Sequence, residues 1–127
     1  MRISLDTNAY RRFAEGDASV LEKVQLAERV CLPVPVIAEL RAGVGLGTKA
    51  IQNERYLSAF TYSKRVDVLV CDEETTHQYA LLFAQLRRQG TPIPINDVWI
   101  AALSLQHRCR LLTFDADFDH LPQLLRA

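Results

Sequence analysis

The chain has 127 residues, enough to bury a sizeable core, and its 49% hydrophobic and 24% charged residues are ordinary for a soluble globular protein. Fifteen basic residues balance fifteen acidic ones, so no overall positive charge marks a nucleic-acid binder, and no apolar run is long enough to span a membrane. The start, Met1 to Asp6, lacks the apolar core of a signal peptide, which points to a cytoplasmic protein of one domain over residues 1–127.

The cysteines Cys31, Cys71 and Cys109 fit neither a zinc spacing nor a disulfide framework. All three read as reduced and structural. Cys31 and Cys71 are expected to be buried because they lie in apolar runs, while Cys109 lies between two arginines.

Arg2 to Leu5 reads as a short strand that stops at Asp6, and Thr7 and Asn8 then start a short helix through Phe13. Asp6 either caps that helix or serves chemistry, because parallel α/β sheets bind ligands at the C-terminal ends of their strands. Asp17 is the expected cap of a helix over Ala18 to Glu28, with Val20, Leu21, Val24 and Ala27 on its core side. Val30 to Leu32 is a second strand, stopped by Pro33. Pro35 opens a helix whose core face is Val36, Ile37, Leu40 and Val44. Glu39 leans toward that face, which calls either for a salt bridge to Arg41 or Arg2 or for a functional role. Gly43, Gly45 and Gly47 are expected to break the helix; no phosphate-loop motif follows them.

Thr48 is the expected cap of a helix to about Tyr62 carrying Ile51, Tyr56, Leu57 and Phe60. Lys49, Arg55, Lys64 and Arg65 make this region basic, and its aromatics interleave with those charges, a pattern that suits either a flexible RNA or, more commonly, a helix with an apolar and a solvated basic face. Val66 to Val70 is a third strand. Asp72 caps a long helix from Glu73 to Gln89, ended by Gly90, and His77 within it has no ligand partner at metal spacing. After a proline-bounded turn, Asn96 is the expected N-cap of a buried helix through Asp97, Val98 and Leu103 that ends near His107. Leu111 to Phe114 is a fourth strand running into Asp115 and Asp117. A short helix and tail, through Leu121, Leu124 and Leu125, complete the core.

This order implies an α/β fold, a small parallel sheet flanked by helices. Asp6, Glu39, Asp97 and Asp115 can all reach the C-terminal edge of that sheet, with Asp117 close by. Carboxylates within about 5 Å of one another repel by roughly 3 kcal/mol per pair at an effective dielectric near 20, so such a cluster needs protons or a cation. Oxygen ligands select magnesium or manganese, and phosphodiester hydrolysis is the reaction such a site suits. Asn8 and Thr113 are placed to hold the acid side chains.

Four segments carry a resemblance: Asp6-Thr7-Asn8, Ile37 to Gly43 around Glu39, Ile95 to Ala102 around Asp97, and Leu111 to Phe118 around Asp115 and Asp117. In this order and spacing the sequence resembles a PIN-domain ribonuclease, specifically the VapC-type toxin of bacterial toxin–antitoxin pairs. The resemblance covers essentially the whole chain. It implies a magnesium- or manganese-dependent endoribonuclease with Asp6, Glu39, Asp97 and Asp115 as metal-binding acids and Asp117 as an assisting one. It also implies a VapB-type antitoxin, a homodimer, and DNA binding only through the antitoxin. Val34-Pro35 departs from the hydroxyl cap that relatives often have there.

Other readings differ at defined points. An aspartyl-phosphate phosphatase of the haloacid dehalogenase type needs an aspartate where Asn8 stands. A degenerate PIN domain that only binds RNA or protein conflicts with the full set of acids. An RNA-processing nuclease without a toxin role has the same site.

Overall fold

The computed structural model describes residues 1–44 and 48–127. Among them, β1 (Arg2–Leu5), β2 (Arg29–Pro33), β3 (Val66–Leu69) and β4 (Arg110–Leu112) form one sheet in the order β3-β2-β1-β4. Every neighbouring pair is parallel. Helices α1 (Thr7–Ala14) and α2 (Ala18–Leu26) join β1 to β2, and α3 (Val34–Val44) and α4 (Ala50–Thr61) join β2 to β3. Helices α5 (Glu73–Gln89) and α6 (Ile95–Gln106) lead into β4, and a 3-10 turn, Ala116–His120, follows. The α/β class and the parallel sheet are therefore as the sequence implies.

Helix-covered parallel strands are apolar on both faces, and Ile3, Leu5, Val30, Leu32, Leu111 and Leu112 are all buried. Helix α6 packs Val98 and Ile100 to Ala102 into the same core, and Leu103 into a smaller cluster with Cys31, Leu69 and Cys109. The β4 edge is covered by the tail: Leu111 N–H donates to Leu125 O at 2.8 Å, and Ala127 N–H donates to Leu111 O at 3.0 Å. At the other edge, β3 leaves Val68 exposed and pairs Asp67 with Arg29. Parallel strands put the ends of β1, β2 and β4 on one rim, where Asp6, α3 and the segment Thr113 to Asp115 begin.

Local signals place most boundaries. Asp17 accepts from Ser19 and Val20 N–H groups, Asp72 and Thr75 form a reciprocal capping box, and Gly90 ends α5 in the left-handed region at φ 70°. The differences are physical. Helix α6 begins at Ile95, because the Pro94 carbonyl accepts from Asp97 N–H at 3.0 Å and takes the cap position expected of Asn96. Thr48 does not cap α4; the flanking residue is Lys49, which makes no side-chain cap bond. Strand β4 stops at Leu112 because Thr113 turns its hydroxyl to Asp6 and to Asp115 N–H. Helix α2 ends at Leu26 because Ala27 is extended, and β3 ends at Leu69.

Some packing expectations are also corrected. Helix α4 is held by Leu57 and by Phe60, whose ring lies 5.3 Å from Tyr10 and 5.2 Å from Phe13, so Ile51 and Tyr56 are left exposed. Leu125 gives its backbone to β4 and leaves its side chain 56% exposed. Cys71, beyond the end of β3, is exposed rather than buried, whereas Cys31 and Cys109 are buried. Gly43 lies inside α3 and does not break it. The breaks expected at Gly45 and Gly47, and the packing of Val44, fall outside the described residues.

Candidate active site

Asp6 is the first residue after β1 and the N-cap of α1, so the capping reading holds, and the residue stands at the strand end where the chemical reading needs it. Its Oδ1 accepts from Ala9 N–H at 2.8 Å, and its Oδ2 accepts from the Thr113 hydroxyl. It is 5% exposed, and burial raises its pKa, opposed by the bonds from Thr113 and Ala9. Thr113 also accepts from Asp115 N–H at 3.0 Å, and Asp115 Oδ1 accepts from Asp117 N–H at 2.9 Å. One chain of bonds thus runs from the end of β1 through the end of β4 into the 3-10 turn.

Helix α6 enters the rim with Asp97 in its first turn. Carboxylate oxygens of Asp97, Asp115 and Asp117 lie within 4.8 Å of one another. Burial lifts the Asp97 pKa to about 6, with further increments from Asp115, Glu39, Asp6 and Asp117 in that order. Asp97 is therefore the carboxyl on which the other four acids converge. Glu39, on α3, lines the same cleft, and its Oε1 is buried without a hydrogen-bond partner. Neither basic residue expected beside it is available: Arg41 pairs with Glu54 at 2.9 Å, and Arg2 turns to Cys31.

The cleft is open, about 570 Å³, and Asp6, Glu39, Asp97 and Asp115 face it together with Asn8 and Asn96. An all-oxygen donor set, mutual repulsion at Asp97 and an unpartnered buried Glu39 oxygen fit a hard divalent cation. The structure brings together all five acids singled out in the sequence. Thr113 does hold an acid side chain. Asn8 lines the cleft but makes no side-chain hydrogen bond to an acid among the described residues.

Two residues of the cleft escaped the sequence reading. Thr7 Oγ1 is buried there without a partner, and Arg11 lines the wall one helical turn further on. Their spacing of four, starting directly after Asp6, places both on one face of α1 and was the available signal.

A family model described as the PIN domain matches residues 3–124. Ribonuclease VapC4 of Mycobacterium tuberculosis is 35% identical over 91 residues, 72% of this chain and 70% of that protein. Ribonuclease VapC5 of the same organism is 30% identical over 118 residues, 92% of this chain and 85% of that one. Among solved structures, VapBC2 from Rickettsia felis bound to a DNA fragment from their promoter gives a TM-score of 0.88 at 25% identity, covering 100% of this chain and 98% of that one. VapBC-1 from nontypeable Haemophilus influenzae gives 0.87 at 27% identity, covering 100% and 97%. With a model match across nearly the whole length and two relatives at or above 30% identity, the chain belongs to the PIN-domain family, and the relatives it matches there are VapC ribonucleases.

Proposed function

We propose that this chain is a magnesium- or manganese-dependent endoribonuclease, a single nuclease domain over residues 1–127, that acts as the toxin of a toxin–antitoxin pair. The observation that carries the reading is the convergence of Asp97, Asp115 and Asp117 within 4.8 Å in a cleft shared with Asp6 and Glu39. Asp6, Glu39, Asp97 and Asp115 would hold the cation, with Asp117 assisting. A bound cation supplies Lewis acidity at a phosphate oxygen and lowers the pKa of a water.

The protein's own residues prepare that chemistry. Thr113 and the Ala9 N–H favour the ionised form of Asp6 against the cost of its burial. Asp97 holds a proton up to about pH 6, so near neutral pH its carboxylate would be free to ligate a cation. The backbone bonds to Asp115 and Thr113 fix the loop after β4, so little reorganisation is needed when substrate arrives. An open polar cleft admits an extended phosphodiester backbone.

The toxin role is supported by the VapC relatives and by the likeness to the VapBC structures. The partner is then a VapB-type antitoxin, DNA is reached only through it, and the toxin works in the cytoplasm as a homodimer. No helix among the described residues is long and apolar enough to cross a membrane.

The test is cleavage of a mixed RNA pool by the purified chain with magnesium, with EDTA, and with Asp97→Asn. Magnesium-dependent cuts that disappear in the variant are expected. Equal cutting by the variant would remove Asp97 from the site. Induced expression should arrest growth unless the antitoxin is co-expressed; active cleavage without arrest would leave an RNA-processing nuclease.

A further inference from the structure

Gly43 has no conformational reason to be glycine. It lies within α3, and the positive-φ glycines among the described residues are Gly16 and Gly90. Glycine inside a helix is destabilising relative to alanine. The reason lies across the cleft wall: a Cβ at position 43 would stand 3.2 Å from Arg11 Nη2, closer than ordinary van der Waals contact. The missing side chain is the space in which the Arg11 guanidinium lies.

Arg11 also differs from its neighbours. Arg12 is engaged by Asp17 at 3.8 Å and lies 3.7 Å over the Phe114 ring. Arg41 is engaged by Glu54 and Arg29 by Asp67. The Arg11 side chain shares the cleft with Asp6, Glu39, Asp97 and Asp115, yet its guanidinium forms neither an ion pair nor a hydrogen bond among the described residues. A guanidinium kept clear beside a cleft for a phosphodiester has one fitting ligand, a non-bridging phosphate oxygen pair.

We propose that Arg11 binds a backbone phosphate of the RNA strand beside the scissile one, and that Gly43 keeps the room it needs. This rests on the nuclease reading. The carboxylates and their cation serve the phosphate that reacts, and Arg11 holds an adjacent one that does not. Arg11 is therefore a substrate-holding residue that acts on affinity more than on the chemical step.

The test measures KM and kcat on a mixed-sequence single-stranded RNA pool with magnesium, over a series of potassium chloride concentrations. The proteins are the wild type, Arg11→Ala, Arg11→Lys, Gly43→Ala and the Arg11→Ala/Gly43→Ala double variant. Arg11→Ala should raise KM about tenfold with kcat little changed. The slope of log(1/KM) against log salt should become shallower by about 0.7, the loss of one single-strand phosphate contact. Arg11→Lys should keep the slope and part of the affinity. Gly43→Ala should raise KM more modestly, since the guanidinium has only to shift by a few tenths of an ångström, and should add nothing in the Arg11→Ala background. Its thermal midpoint should not fall, because alanine favours the helix.

A wild-type KM and salt slope in Arg11→Ala would overturn the proposal. So would an unchanged KM accompanied by weakened binding of a protein partner, which would assign Arg11 to an acidic peptide instead. A Gly43→Ala effect of equal size in both backgrounds would overturn the role of Gly43. Absence of cleavage by the wild type would instead overturn the nuclease reading itself.

Discussion

The Thr113 hydroxyl donates to Asp6 Oδ2, tying the end of β4 to the end of β1 across 107 residues of chain. It also accepts from Asp115 N–H, so one small side chain orients two acids of the cleft. Thr113→Val keeps the shape and removes both bonds. The bond from Thr113 is the leading influence holding the Asp6 pKa down, so its loss should raise that pKa further. Cleavage near neutral pH should fall about 10–100-fold, the usual cost of losing a partner that orients a metal ligand. The acid limb of the pH–rate profile should move to higher pH, and Thr113→Ser should retain most activity. An unmoved acid limb in Thr113→Val would show that Asp6 does not depend on this bond.

Ser4 on β1 and Ser104 on α6 are fully buried with their hydroxyl oxygens 2.7 Å apart. Ser104 donates onward to Ile100 O at 2.9 Å, so Ser4 donates to Ser104. The two alanine variants should therefore be unequal. Ser4→Ala leaves Ser104 still bonded to Ile100, whereas Ser104→Ala strands the Ser4 hydroxyl in the core. The second should cost about 1–3 kcal/mol and the first clearly less. Urea unfolding of both variants checks the order, and equal losses would contradict the assignment of donors.

The residues that the sequence placed well are those whose position follows from a local rule. Asp17, Asp72 and Gly90 announce helix ends through side chains or backbone angles that act within a few residues. The acid positions were legible for a related reason: Asp6 and Asp115 follow strands whose parallel ends share one rim, Asp97 lies in the first turn of α6, and Glu39 lies on α3, the helix that directly follows β2. What was not legible depends on contacts across the fold. The exposure of Ile51 and Tyr56 is decided by where Phe60 meets Tyr10 and Phe13. The end of β4 is decided by Asp6, far away in the chain. The reason for Gly43 lies on another helix.

The three cysteines should separate cleanly by reactivity. Cys71 is exposed, while Cys31 and Cys109 are buried in the core. Partial burial, with Asp72 nearby, raises the Cys71 thiol, so its thiolate forms only at alkaline pH. A thiol reagent should therefore label one cysteine per folded chain, faster as pH rises, and three in denaturant. Removal of that single reactive site by Cys71→Ser tests the assignment. Labelling of the folded Cys71→Ser protein at the same rate would contradict the burial of the other two.

Asp97 is where site chemistry and stability oppose each other. Its carboxyl holds a proton up to about pH 6 in the folded, metal-free chain, against 3.8 ordinarily. Between those values the folded state binds more protons than the unfolded state, so metal-free stability should fall as pH rises through that window and level off above it. Asp97→Asn removes the charge that burial and four neighbouring acids oppose. The metal-free variant should gain about 1 kcal/mol at neutral pH, or ~4 °C in Tm, and lose most of the decline between pH 4 and 6. Magnesium should reverse the ranking. It should raise the wild-type Tm by mass action and proton release, move the variant little, and support cleavage only in the wild type. Thermal melts with EDTA and with magnesium, at pH 4.5 and 7.5, measure all of this together. A metal-free Asp97→Asn protein that melts below the wild type at pH 7.5 would show that Asp97 is held by favourable contacts, and that the five acids do not form a repelling, cation-seeking cluster.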